Sequence, residues 1–258
     1  VKRIFFLLFS LSSFGLAQDM TSLKLETPKA VSSTYDLETP VLLGHNLTST
    51  SYTLKKNQLT VGTYLVGYGI TDSFMISTSP WIDLLYNMPM INARYLVTQL
   101  DDFRVLVDAN YFKTFPYLRN MYEQNSTFAR IVASEKFSSF YTLHGSFGYQ
   151  YFWDENAPYS LDPTPGNQFT TSLSTLHEMH WFKHAGTFFE AGVLGMNYPT
   201  PYLHLGASVF GTWKNMMLQL GVSRSNSMGM EYAVTNNYGY WYLSRVLWHP
   251  EVQFQAYF

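Results

Sequence analysis

Glu251-Val-Gln-Phe-Gln-Ala-Tyr-Phe258 is the stretch on which the reading of this chain turns. Successive side chains of an extended strand point to opposite faces. Val252, Phe254, Ala256 and Phe258 therefore form one face, and Glu251, Gln253, Gln255 and Tyr257 the other. One face wants an apolar surrounding and the other a wet one. The same period of two recurs along most of the chain, in Phe103-Arg-Val-Leu-Val-Asp-Ala-Asn-Tyr-Phe112 and in Leu203-His-Leu-Gly-Ala-Ser-Val209 among others.

Composition limits what such strands can build. Aromatic residues make up 18% of the 258 residues and charged residues only 13%. That balance suits a sheet with an apolar band outside, aromatic girdles at its edges and a polar interior. No segment after residue 17 has the 18 or more consecutive apolar residues of a membrane-spanning helix. There is no cysteine, which excludes disulfides, thiolate metal sites, thiol catalysis and an N-terminal lipid anchor. Residues 1–17 read as a secretory signal peptide: basic Lys2 and Arg3, an apolar run from Ile4 to Leu11, and Gly15-Leu16-Ala17 as a small-x-small cleavage site. Taking Lys2 and Arg3 from the 16 basic residues leaves 14 against 18 acidic ones, a formal charge of −4. Nucleic-acid binding has no electrostatic support in that balance.

Residues 18–47 are polar and Pro/Thr-rich, and Leu25-Glu-Thr-Pro28 is echoed by Leu37-Glu-Thr-Pro40. They read as an extended N-terminal segment, an arm or a partial plug. From residue 48 to 258 the alternation predicts strands near 49–56, 59–70, 73–79, 90–99, 103–113, 128–135, 139–152, 168–181, 186–196, 202–213, 215–224, 230–236, 239–248 and 251–258. The count is about 14. It falls to 12 if the weakest segments, 49–56 and 230–236, are not strands. Tight connections such as Thr71-Asp72, Leu100-Asp-Asp102 and Lys214-Asn215 alternate with longer ones, 80–89, 114–127 and 154–167. This is the rhythm of an all-β, up-and-down antiparallel barrel with short turns at one end and loops at the other.

Two stretches carry a family resemblance. Gly69-Ile-Thr-Asp-Ser-Phe-Met-Ile76 resembles a hairpin of bacterial outer-membrane β-barrels in which a Gly-Leu-Thr-Asp-type turn joins two strands. Residues 251–258 resemble the C-terminal signal of that superfamily. The resemblance implies a transmembrane barrel in the bacterial outer membrane, reached through the periplasm after signal-peptide cleavage. It also implies contact with outer-membrane lipid and lipopolysaccharide, and recognition by the barrel-assembly machinery through Val252, Phe254 and Phe258.

A charge facing lipid at mid-bilayer costs about 2–4 kcal/mol, so charged positions mark the inner face. That test turns Arg94, Arg104, Arg130 and Arg245 inward together with Asp108, Glu178, Glu190 and Glu251, and adds His180 and His204. Such groups either pair and brace the barrel or line a conduit. His177-Glu-Met-His180 lacks the helical spacing of a zinc motif, and on a strand Glu178 and His180 share a face while His177 takes the other. Ser172, Ser174, His144, His180 and His204 fall on inner faces, so a serine–histidine contact is possible. No nucleophile elbow, phosphate-binding glycine loop or cofactor fingerprint is present. The sequence thus predicts no catalytic residues, metal or cofactor, and a pore or transporter for small solutes. The alternatives are a closed structural barrel that meets a partner through loops 114–127 and 154–167, and an outer-membrane hydrolase of lipase or deacylase type.

Overall fold

The computed structural model describes residues 43, 48–63, 65–80, 89–113, 124–154, 167–197, 201–225 and 247–258. The expected signal peptide, most of the segment 18–47, the strand segment 230–236, Arg245 and the greater part of loops 114–127 and 154–167 lie outside them.

Twelve strands follow one another: β1 Leu59–Gly62, β2 Val66–Thr71, β3 Phe74–Thr78, β4 Met90–Leu100, β5 Phe103–Lys113, β6 Gln124–Lys136, β7 Tyr141–Asp154, β8 Asn167–Phe182, β9 Ala185–Leu194, β10 Tyr202–Trp213, β11 Met216–Ser225 and β12 Leu247–Tyr257. Each pairs antiparallel with the strands before and after it, and β12 pairs with β1 to close a barrel. The described barrel therefore has the smaller of the two expected strand counts. Segment 59–70 breaks into the hairpin β1–β2. The last two residues of segment 239–248, whose remainder lies outside the described residues, continue through Pro250, opposite Val222, into segment 251–258 as β12. Segment 49–56 is no part of the wall.

The short turns sit where the backbone can reverse tightly. Asp101 and Lys214 begin two-residue turns with φ of 50° and 51°, the left-handed conformation that fits a hairpin to the strands' own twist. Turns 72–73, 101–102, 183–184 and 214–215 all lie at one end of the barrel. Phe258 lies there too, since Met216 is paired with Ala256.

The burial pattern is inside out, which is the physical signature of an outer-membrane-type β-barrel. Ile91, Tyr95, Val107, Ile131, Phe147, Leu173, Phe189, Leu203, Val209, Leu220, Val252 and Phe254 are exposed on the outer face. Asn92, Arg94, Asp108, His144, Glu178, Glu190, His204 and Gln219 are buried on the inner one. Phe137, Phe140, Trp181, Phe182, Trp213 and Phe258 form an exposed aromatic collar beside the short turns, where amphipathic rings suit a membrane interface. Phe140 meets Trp181 edge-on at 5.0 Å between centroids.

Inside, small residues thin the wall where strands meet, as in the pairs Gly148↔Ser172, Ser174↔Gly192 and Ser208↔Gly221. The space is taken by the chain itself. Thr48–Ser51 and Leu54 are buried, and the residues leading into β1 fold against the β2–β3 hairpin. Asn57 N–H donates to Gly69 O at 2.7 Å, and Lys56 N–H to Asp72 Oδ1 at 2.9 Å. Gly69 permits this approach, since a Cβ there would lie 1.9 Å from the Lys55 carbonyl oxygen.

Three outcomes follow for residues 18–258 refolded in detergent or liposomes and unfolded in urea. Gly69→Ala should lose about 1–3 kcal/mol, the cost of overpacking against backbone. Gly145→Ala, whose Cβ meets nothing within 4 Å, should be neutral or gain about 0.5–1 kcal/mol from the stiffer backbone. Leu220→Arg, on the outer face opposite Val252, should lose about 2–4 kcal/mol in a bilayer.

Candidate functional site: the lumen and its internal strap

Residue 43 and residues 48–54 form a strap inside the barrel, and residues 55–58 carry it past the β2–β3 turn into β1. Arg94 on β4 grips it from one wall: Nη1 donates to the Leu43 carbonyl at 2.9 Å, and Nη2 to Ser49 Oγ at 2.7 Å and to the Thr50 carbonyl. Glu190 on β9 holds it from another wall, accepting the Thr48 N–H through Oε1. β4 and β9 are five strands apart in a ring of twelve, so the strap crosses the lumen from side to side. Towards the short-turn end, Leu43 and Leu54 join an internal apolar cluster with Leu65, Met75, Leu176, Phe188, Phe210, Met217 and Tyr257. Tyr52 presents its ring edge-on to His144, at 5.5 Å between centroids, and carries the Arg104 guanidinium 5.4 Å from its own centroid.

The charged interior divides into local sets. Asp108 is cross-strand to both Arg94 and Arg130. Its Oδ2 takes Arg130 at 2.9 Å, while its Oδ1 accepts from Asn92 Nδ2 at 2.5 Å. Ser77 Oγ extends this set by donating to Asn92 Oδ1. On β6–β8, Ser134 Oγ lies 2.6 Å from His144 Nδ1, His144 Nε2 lies 2.9 Å from Glu178 Oε2, and His180 Nε2 lies 2.5 Å from Glu178 Oε1. His177 leaves this set and meets Tyr141 OH at 2.8 Å. Glu190, beside the strap, also has His204 Nε2 at 2.9 Å. Glu251 accepts from Ser223 Oγ at 2.5 Å.

The β10–β12 wall is different. His204 Nδ1, Ser208 Oγ, both amide heteroatoms of Gln219 and Gln253 Oε1 are buried and, among the described residues, find no hydrogen-bond partner. Register sets Gln219 directly against Gln253, and Ser208 against Gly221. These groups form a strip of hydroxyl, amide and imidazole functions along the inner wall.

Of the residues predicted to line the lumen, Arg94, Asp108, Glu178, Glu190 and His204 are buried inside, and Arg104, Arg130 and His180 are partly covered there. Val252, Phe254 and Phe258 are on the outer face of β12. Gln219 and Gln253, which the alternation turns to the wet face, are inside as well; Ser134 and Tyr52 complete the interior and were not singled out by the sequence. Ser134 follows Arg130 by four residues on one strand, so the same alternation carries it inward. Tyr52 gives no such signal, because its segment is not in the wall. Among the described residues, no cluster of three or more His, Asp or Glu is set to hold a metal ion.

No protein-family model matches the chain, and no curated protein matches it. Among solved structures, it is similar to OmpT (in-vitro folded), an outer membrane protein of Vibrio cholerae, at 8% sequence identity and a TM-score of 0.41, over 83% of this chain and 70% of that one.

Proposed function

We propose that the barrel is an outer-membrane conduit for small polar solutes, shut by its own strap. The observation that carries this reading is the bridge from Arg94 on β4 to Glu190 on β9 through Leu43, Thr48, Ser49 and Thr50. Buried charge is tolerable when hydrogen-bonded. The strap supplies those bonds when it is in place, and water in an open lumen would supply them when it leaves. Releasing the strap thus exchanges one set of polar partners for another. The unpaired amides and hydroxyls of β10–β12 then offer hydrogen bonds to a passing neutral solute, and Arg94, Arg104 and Arg130 set the charge of the opposite wall. On this reading residues 1–17 direct export. The outer face of β12, with Val252, Phe254 and Phe258, is what the assembly machinery recognises before lipid and lipopolysaccharide surround the barrel.

A second reading, a permanently closed structural barrel, draws on the apolar cluster around Leu43 and Leu54. Such a seal near the short-turn end would need more than loss of two polar grips to open.

Planar-bilayer recording separates the two. Refolded mature protein should be closed, with brief openings. Arg94→Ala combined with Glu190→Gln, or deletion of residues 18–52, should give steady stepwise conductance. A deletion variant that keeps the heat-modifiable gel shift of a folded barrel and never conducts would sink the conduit and favour the structural reading. Separately, deletion of Phe258 should lower the assembled fraction in outer membranes while leaving refolding in detergent intact. Unchanged assembly would remove the role proposed for that residue.

A further inference from the structure

The set Ser134, His144 and Glu178 is not used by the conduit, and its geometry suits proton transfer. A carboxylate only accepts hydrogen bonds. In the neutral imidazole, His144 Nε2, 2.9 Å from Glu178 Oε2, carries the ring proton and Nδ1 keeps its lone pair. That lone pair faces Ser134 Oγ at 2.6 Å, so the serine hydroxyl donates to it. The other Glu178 oxygen is held by His180 Nε2 at 2.5 Å, which fixes the carboxylate from both sides. Hydroxyl, base and orienting group come from three neighbouring strands in continuous register, Ser134↔His144 on β6–β7 and Thr142↔Glu178 on β7–β8. Strands hold such a geometry more tightly than loops do. Arg104 is the cross-strand partner of Ser134. Its guanidinium lies 5.4 Å from the Tyr52 ring centroid, so the residue that packs on His144 also holds a cation on the same inner wall. A brace between β6 and β8 would not need a basic lone pair aimed at a hydroxyl.

We propose that Ser134 is the nucleophile of a hydrolytic site for small carboxylic esters, with His144 as its base and Glu178 orienting that base, and that Tyr52 of the strap covers it. Tyr52 lies against both His144 and Arg104, and Ser134 is only 3% exposed. The cover rests on the strap reading above; the chemistry does not. In the reaction, Ser134 Oγ bonds to the ester carbonyl carbon as its proton passes to His144 Nδ1. The carbon–alkoxy bond then breaks and the alcohol leaves with that proton. Water attacks the acyl-serine, gives its proton to Nδ1, and the acid departs as Ser134 recovers the proton. Glu178 stays ionised throughout and stabilises the imidazolium through Nε2–H. No oxidant, metal or cofactor is needed.

The experiment is labelling of refolded mature protein by a small fluorophosphonate, with the modified residue located by mass spectrometry and folding checked by the gel shift. Tyr52→Ala should be labelled at Ser134 under conditions that leave the wild type unlabelled. Adding His144→Gln should slow that labelling about 100-fold or more. Glu178→Gln should slow it too, and should change its pH profile, which loss of a mere brace would not do. Hydrolysis of an activated acetate ester should follow the same order. A folded Tyr52→Ala barrel that is not labelled at Ser134, or is labelled equally with and without His144, would overturn the site. Equal, His144-dependent labelling of wild type and Tyr52→Ala would overturn the cover alone, and would count against the strap while leaving the conduit test to its own result.

Discussion

Closure of the sheet on itself is the constraint from which the rest follows. In hydrocarbon, each unpaired backbone N–H or C=O costs several kcal/mol, so a membrane sheet can have no free edge. Here the strand at the closing seam, β1, is the least paired, with three register pairs on each side. β1 meets β12 over Thr60↔Tyr257, Val61↔Ala256 and Gly62↔Gln255 only, whereas β11 meets β12 from Met216↔Ala256 to Ser225↔Leu247. Bonds around the seam make up the difference. Leu59 and Phe258 exchange both backbone hydrogen bonds, Thr63 and Phe254 are linked by N–H groups in both directions, and Gln255 Nε2 reaches Thr60 Oγ1 and Leu65 O. The strap leads directly into β1 and is bound to the β2–β3 hairpin. It therefore supports the part of the wall with the least pairing of its own.

The same closure forces the polar side chains inward, where each needs a partner. β4–β9 meet that need with side chains and with the strap: Asp108 with Arg130 and Asn92, Glu178 with His144 and His180, Glu190 with His204 and Thr48. β10–β12 meet it less completely, leaving Ser208, Gln219 and Gln253 with unused hydrogen-bonding atoms. Asn110 Oδ1 and Asn125 Nδ2 on β5 and β6 are unused as well, so the two sides of the interior differ in degree, the β10–β12 side carrying more such atoms. That difference underlies the reading of a conduit with a built-in closure.

Much of the wall was legible because period-two alternation is a local property. Phe103–Phe112 and Leu203–Val209 show their inner and outer faces without reference to any partner. What was not legible depends on partners. Residues 49–56 alternate as a wall strand would, but Ser49 and Thr50 bond to Arg94 and not to a neighbouring strand. Local pattern cannot tell an extended segment in the lumen from one in the sheet. Segment 59–70 hid the division into β1 and β2, since Leu59, Val61 and Tyr68 alternate outward through both halves of the hairpin. The break expected between 248 and 251 is not there, and β12 runs through Pro250. Within the interior, Asp108 had two arginines in register, and only the structure shows it bonded to Arg130 while the Arg94 guanidinium reaches the strap.

The central claim is that residues 48–50 lie across the lumen between β4 and β9. The chain has no cysteine, so a Thr48→Cys, Glu190→Cys pair can be joined by a short bifunctional thiol reagent without background. The account predicts an efficient intramolecular cross-link in the folded barrel, lost on unfolding. A folded barrel in which Cys at 48 never joins Cys at 190, while a Cys pair at the adjacent wall positions Ser146 and Ser174 joins readily, would contradict it.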